Sequence, residues 1–447
     1  DYSGFHFDSY HMVLPETIRY QQEIYSSAPG SAVSPLIYQE LQLSNSFQNF
    51  DRVERVPVFS LEYEYTVPEN GMPLKADHGH SADHIHFDDD LPHPAPPLAE
   101  IEILSEKLEL IGSWKLTLRP GRQRVYFYPE SFTAEAAIIR FTHNSEFGRL
   151  RSFRLETKNA QADTPENLEP LPIDLGMLMN YSSVLWRHDT FELFTWNLFP
   201  EVHIFDFADY AVQARFLKRL AFFTEKTGIR GTLLSNAELI DRHGWNAHNY
   251  HARDLARFYS QALRENFELN PEEILLRDIL LKQGIIVNEA GNYGEGEGQI
   301  LSVSVQPGQA DAARQLFLNH EALHGVFYNH PPLRNVSFAL WGDMSADTRE
   351  YITYYFSYFD YDNADEYLLV NEFQAYMLQQ NVDDLSWIVQ NRMSERIGRW
   401  APRLRNFLNR TKAQASEELL ADAEYLQDVI YQNLGLIAGD LFCLVEN

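Results

Sequence analysis

The chain has 447 residues, 45% of them hydrophobic and 13% aromatic, which is ample for a large core and excludes wholesale disorder. Its 64 Asp and Glu against 36 Lys and Arg give a formal charge of -28, a field that repels nucleic acid and anionic membrane. A single cysteine, Cys443, excludes an intrachain disulfide and a Cys-rich zinc site, and no apolar run approaches the roughly 20 residues of a membrane span.

The first residue is Asp1, so the chain is expected to be a processed or truncated product. The acidic surface and near-absence of thiols favour a secreted, periplasmic or cell-surface protein, and Asn180, Asn335 and Asn409 each head a glycosylation sequon. Residues 1–50 are rich in Tyr and Ser, and Pro15, Pro29 and Pro35 break any long helix; they are expected to form an arm, extended or in a few short strands. From "RVPVFSLEYEYTV" to "RLRSFRLETK" apolar residues alternate and β-formers dominate, with "RPGRQ" as a turn. This spacing predicts a β-sandwich-like accessory domain over residues 51–157. Inside it, "DHGHSADHIHFDDDLPH" sets His78, His80, His84, His86 and His93 among carboxylates, a solvated loop by composition and a candidate second metal site by donor chemistry.

Periodicity is lost over residues 158–185, where prolines cluster, as in a linker. Residues 186–447 then read as a mainly helical domain with a small sheet. "EVHIFDF" has the pattern of a strand and "DYAVQARFLKRLAFFTEKTG" that of an amphipathic helix ending at Gly228; further helices fit residues 250–265 and 271–282. "QGIIVNEA" and "GQILSVSVQ" read as strands flanking a flexible "GNYGEGEG" loop, and almost everything from Ala310 onward has helical period. The expected fold class is therefore α+β and multidomain. "RHGWNAHNYHARD" carries His243, His248 and His251 without a clear ligand geometry and is expected to face a cleft, whereas "DYDNADE" offers oxygen ligands but lacks the glycine and spacing of an EF-hand loop.

One helix is chemically unusual. In "RQLFLNHEALHGVFYNHPP" a helix starting near Gln309 must end before Pro331 and Pro332. His320 and His324 lie one turn apart on the face that holds Ala313, Leu316, Leu323 and Phe327. Two such imidazoles reach one ion at the roughly 2.0–2.1 Å of a zinc–nitrogen bond, and Glu321 projects to one side, where a general base for a bound water belongs. The competing reading is a buried histidine pair satisfied by backbone carbonyls. A catalytic zinc needs a third protein ligand. In "DEYLLVNEFQAYMLQQ", Glu372 shares a face with Leu368, Leu369, Ala375 and Tyr376, an expensive place for a carboxylate that has no cation. Glu350 in "DTREYITYY" competes with it, on a less apolar helix.

"HEALH" followed by "NEFQA" resembles the glutamate-zincin (thermolysin-like) metallopeptidases, across residues 299–380, without pointing to one family among them. The resemblance implies His320, His324 and Glu372 as zinc ligands, Glu321 as general base, and zinc-dependent hydrolysis of a peptide or protein substrate. Two departures stand out: Tyr376 occupies the position where several families place a histidine-orienting aspartate, and the gap from His324 to Glu372 is long. Tyr376 is the first candidate for the oxyanion donor, ahead of His330, Tyr328 and Tyr361. Residues 299–306 are the candidate edge strand for pairing with substrate, and the aromatics of "EYITYYFSYFDYDNADEY" are candidates to line a cleft. The alternatives are a non-catalytic binding protein with a structural zinc site, for which His330 could supply a fourth ligand, and a zinc amidohydrolase acting on a non-protein amide.

Overall fold

The computed structural model describes residues 9–10, 19–23, 36–42, 55–65, 98–128, 136–143, 148–159, 164–244, 246–304 and 311–446. The chain divides into two compact units, one of Asp1–Phe50, Val58–Glu156 and Cys443–Asn447, the other of Asp51–Pro57 and Thr157–Phe442. It is mixed α and β, with several small sheets and a helical C-terminal region. The His78–His93 stretch lies outside the described residues.

The first unit is β-rich. One sheet runs in the order Ser9–Tyr10, Gly148–Asn159, Arg55–Tyr65, Gly121–Phe127. The other is antiparallel throughout, in the order Leu444–Glu446, Leu110–Thr117, Leu98–Ser105, Ala136–His143, Leu36–Gln42, Arg19–Glu23. Trp114 of the second sheet meets Phe127 of the first with ring centroids 5.1 Å apart, and both are fully buried, so the sheets share a core. The described segments of the 1–50 arm are strands of these sheets. Leu444–Glu446 also belongs here, tied on by Thr117 N–H donating to the Cys443 carbonyl at 2.8 Å. The sequence carries the helical domain through to residue 447, because a three-residue strand has no readable period.

The second unit is built on a five-stranded sheet in the order Leu171–Ile173, Phe191–Trp196, Val202–Phe207, Gln299–Ser304, Ala247–His251. Val202–Phe207 and Gln299–Ser304 pair in parallel and are buried at every residue, as strands covered on both faces must be. Helices Tyr210–Glu225, Ala252–Arg264 and Pro271–Lys282 bury Phe216, Leu220, Leu255 and Leu276 in a common core with Phe191, Phe205 and Phe207. Their starts are specified locally: Asp209 accepts from Val212 N–H at 2.7 Å, and Glu273 accepts from Asn270 N–H at 2.7 Å ahead of Pro271. From residue 164 the expected linker packs into this unit, burying Leu168, Leu171, Leu175 and Leu178. The expected flexible loop instead contributes a strand, Asn292–Glu295, which forms a hairpin with Ile286–Glu289.

The helix Asp311–Asn329 packs against both Gln299–Ser304 and a later helix, Glu366–Leu378. Its approach to the sheet is close at Gly325, where a β-carbon would lie 2.9 Å from Gln299 Nε2 and 3.5 Å from the Trp196 ring. The glycine one residue after His324 therefore sets how deeply the histidine helix sits.

Candidate metal centre

His320 and His324 project from Asp311–Asn329 towards Glu372 on Glu366–Leu378, and all three are buried, at 9%, 3% and 5% exposure. His320 Nε2 and His324 Nε2 stand 3.2 Å apart. Glu372 Oε2 is 3.4 Å from His320 Nε2, and its Oε1 is 3.7 Å from His324 Nε2. One donor atom from each residue falls within 4.8 Å of the others.

The far side of each ring is held by an amide. His320 Nδ1 donates to Gln379 Oε1 at 2.9 Å and His324 Nδ1 to Asn371 Oδ1 at 2.9 Å. An amide oxygen only accepts, so each Nδ1 carries the hydrogen and each Nε2 presents a lone pair. Gln374 fastens the arrangement, donating to the Asn371 carbonyl at 3.0 Å and across to the Leu323 carbonyl at 3.2 Å. Asn371 and Gln379 do the orienting that the family resemblance assigns to an aspartate at position 376.

Two lone pairs and a carboxylate thus aim at one point in a buried setting, which is unfavourable without positive charge. Glu372 Oε2 has no hydrogen-bond partner among the described residues. A single proton serves the group poorly. Burial opposes protonating His320, but Glu372 outweighs it and raises that pKa; burial pushes His324 down to about 4. Burial raises the Glu372 carboxyl, yet the charges of His324 and His320 bring it below its ordinary value. A metal ion satisfies all three donors at once, so these residues fit one. Among the described residues no fourth His, Cys, Asp or Glu joins the group. His330 instead caps the next helix, accepting from Leu333 N–H at 3.3 Å, and Glu350 accepts from the Tyr354 hydroxyl at 2.6 Å.

The triad opens on a cleft of about 430 Å³. Glu321 lines it at 7% exposure, and burial pushes its carboxyl up to about 8, with the charge of His320 opposing and those of Glu372 and Glu225 adding. A cation at the triad counteracts that shift. Tyr376 lines the cleft with its ring 4.8 Å from His320, and burial raises its hydroxyl pKa, so it stays a donor. Tyr361 also lines it, close enough to Glu372 to lower that carboxyl's pKa. Of the expected aromatic lining, Tyr355, Phe359, Tyr361 and Tyr367 face the cleft, while Tyr351 and Phe356 are core. Tyr328 lines it as well, its ring 4.7 Å from His251.

Gln299–Ser304 is paired on both sides, so the expected edge strand is a central one. The edge is Ala247–His251, and its first four residues line the cleft. Strand order depends on distant pairing that local alternation does not encode. His248 and His243 also line the cleft; His248 Nδ1 lies 3.0 Å from the Tyr250 hydroxyl, and the His243 ring stacks on Tyr210 at 4.5 Å. The acidic run at 360–366 is engaged by Arg230, which pairs with Asp365 at 2.6 Å and Asp362 at 3.6 Å. No sequence pattern marks Glu225. It lies at the end of an amphipathic helix, where a carboxylate is ordinary, yet here it lines the cleft, raised by burial to about 7 against the charge of Lys226.

No family model, no curated protein and no solved structure matches the chain.

Proposed function

We propose that this protein is a zinc metallopeptidase of the glutamate-zincin type, with His320, His324 and Glu372 as ligands and Glu321 as general base. The observation that carries the reading is the convergence of two imidazole lone pairs and one carboxylate at the wall of a cleft, with a further buried carboxyl next in sequence to the first histidine. Two nitrogens and one oxygen, with no fourth protein donor in the group, match the donor set of a catalytic zinc site better than the all-oxygen shells of magnesium or calcium. When bound, zinc supplies a Lewis acid that makes water acidic and polarises a carbonyl.

The chain's own groups do the rest. Glu321 accepts a proton from a water molecule as the water oxygen bonds to the scissile carbonyl carbon. It then passes that proton to the amide nitrogen as the C–N bond breaks, so the products are a carboxylic acid and an amine. The Tyr376 hydroxyl donates to the carbonyl oxygen as negative charge builds there. Ala247–His251, the cleft-lining edge strand, offers backbone groups to an extended peptide. Asn371 and Gln379 keep both imidazoles turned with Nε2 inward.

The test is a peptide-hydrolysis assay on zinc-loaded protein beside Glu321→Gln, with metal content measured in both. Full metal occupancy with turnover lost by about 1,000-fold or more supports the reading; an active Glu321→Gln protein removes the assigned base.

A further inference from the structure

Two arginines on the cleft wall have no carboxylate partner among the described residues. Arg392 and Arg396 both line it, one helical turn apart and exposed, and among the described residues neither forms an ion pair. The other arginines of the cleft wall do have carboxylates: Arg230 is held by Asp365 at 2.6 Å and Arg253 lies 3.9 Å from Asp254.

Both guanidiniums rest on aromatic supports. Arg396 lies over the Phe359 ring at 5.9 Å and donates to the Tyr355 hydroxyl at 2.9 Å, while Arg392 lies over the Trp387 ring at 5.5 Å. Tyr355 and Phe359 in turn pack on Tyr376, at 5.3 and 5.8 Å between centroids, and Tyr376 packs on His320. A continuous stack of rings therefore connects Arg396 to the metal centre. The backbone is unusual at the same place: Ile388–Met393 is a π-helical turn, and Ile388 and Arg392 within it line the cleft. Such turns are rare in helices and concentrate at functional sites. Held cations with unused donors are suited to a planar, bidentate anion.

We infer that Arg392 and Arg396 form a subsite for a substrate carboxylate, so that the preferred substrate is a peptide bearing an acidic side chain or a free C-terminus in reach of this wall. The inference rests on the hydrolase reading for its setting, but not on the identity of the base.

The experiment uses four matched fluorogenic peptides, combining an internal Glu or Gln with a free or amidated C-terminus. They are offered to the zinc-loaded wild type, the Arg392→Gln/Arg396→Gln double variant and Arg399→Gln, an exposed control on the same helix whose arginine pairs with Glu395 at 3.2 Å. The double variant is expected to raise KM about tenfold or more for carboxylate-bearing peptides, with kcat nearly unchanged and the neutral peptide unaffected. Whether the Glu or the free-C-terminus arm responds identifies the source of the carboxylate. Equal effects on all four peptides, or no effect, overturn the inference. Binding of the same peptides to Glu321→Gln protein, with and without the two arginine changes, separates the two ideas. Arginine-dependent binding without any wild-type cleavage sinks the hydrolase reading and keeps the subsite. Cleavage indifferent to the arginines does the reverse, and neither binding nor cleavage overturns the subsite.

Discussion

His324 Nε2 faces His320 Nε2 at 3.2 Å, and with each Nδ1 committed to an amide oxygen, neither nitrogen has a hydrogen to offer the other while both rings are neutral. Such an arrangement gains when a cation is bound. Zinc should therefore raise the melting temperature and a chelator should reverse it. At zinc 100-fold above its dissociation constant the gain is about 2.7 kcal/mol. His320→Ala and Glu372→Ala should each abolish the shift and leave the protein without stoichiometric metal. Melting curves indifferent to zinc in the wild type would remove the metal centre altogether.

The amides that hold the rings make a finer prediction. Asn371→Ala and Gln379→Ala keep every ligand atom but free one imidazole to turn, so zinc affinity should fall by roughly 10–100-fold without loss of stoichiometry. Competition against a chromogenic chelator reads this directly. An unchanged affinity in both variants means that packing alone orients the histidines.

Gly439 links the C-terminal end of the second unit to the histidine helix. Its carbonyl accepts from Asn319 Nδ2 at 2.7 Å and from Gln315 Nε2 at 3.1 Å. Its φ is +78°, and a β-carbon there would lie 2.5 Å from the Asn381 backbone nitrogen. Gly439→Ala meets both a disfavoured conformation and a backbone clash, and should cost about 2–4 kcal/mol in denaturant unfolding. Zinc affinity should weaken in parallel, because Asn319 adjoins His320. A variant as stable as the wild type would show that this turn does not brace the helix.

The triad was legible because helical spacing is local geometry: His320 and His324 share a face in any α-helix, and Glu372 stands out as a carboxylate among apolar neighbours. Asn371 and Gln379 carry no such signal. They are neutral residues of common type, and only the packing of two helices gives them work. Glu225 is equally ordinary in sequence, since its proximity to Glu321 comes from the packing of two distant helices against the same strand, Gln299–Ser304. The exchange of central and edge strands has the same origin. "GQILSVSVQ" reads correctly as a strand, but which of its sides is paired depends on residues 202–207 and 247–251.

Asp422 provides a pH-dependent test away from the cleft. It lies on the long helix Arg405–Leu434, half-buried, and its Oδ2 has no hydrogen-bond partner among the described residues. Burial, with Glu418 and Asp343 adding to it, raises its carboxyl from 3.8 to about 7. Between those values the folded chain keeps a proton that the unfolded chain has released. Its contribution to stability is therefore complete below about pH 4, falls as pH rises, and is lost once pH passes about 7. Asp422→Asn removes the ionisation and keeps the shape. The variant should match the wild type near pH 4 and exceed it above pH 7, by ~1–2 kcal/mol once solvent screening is allowed for. Chemical denaturation across this range measures the difference. A gap between the two proteins that stays constant with pH would show that the Asp422 carboxyl does not hold its proton in the fold.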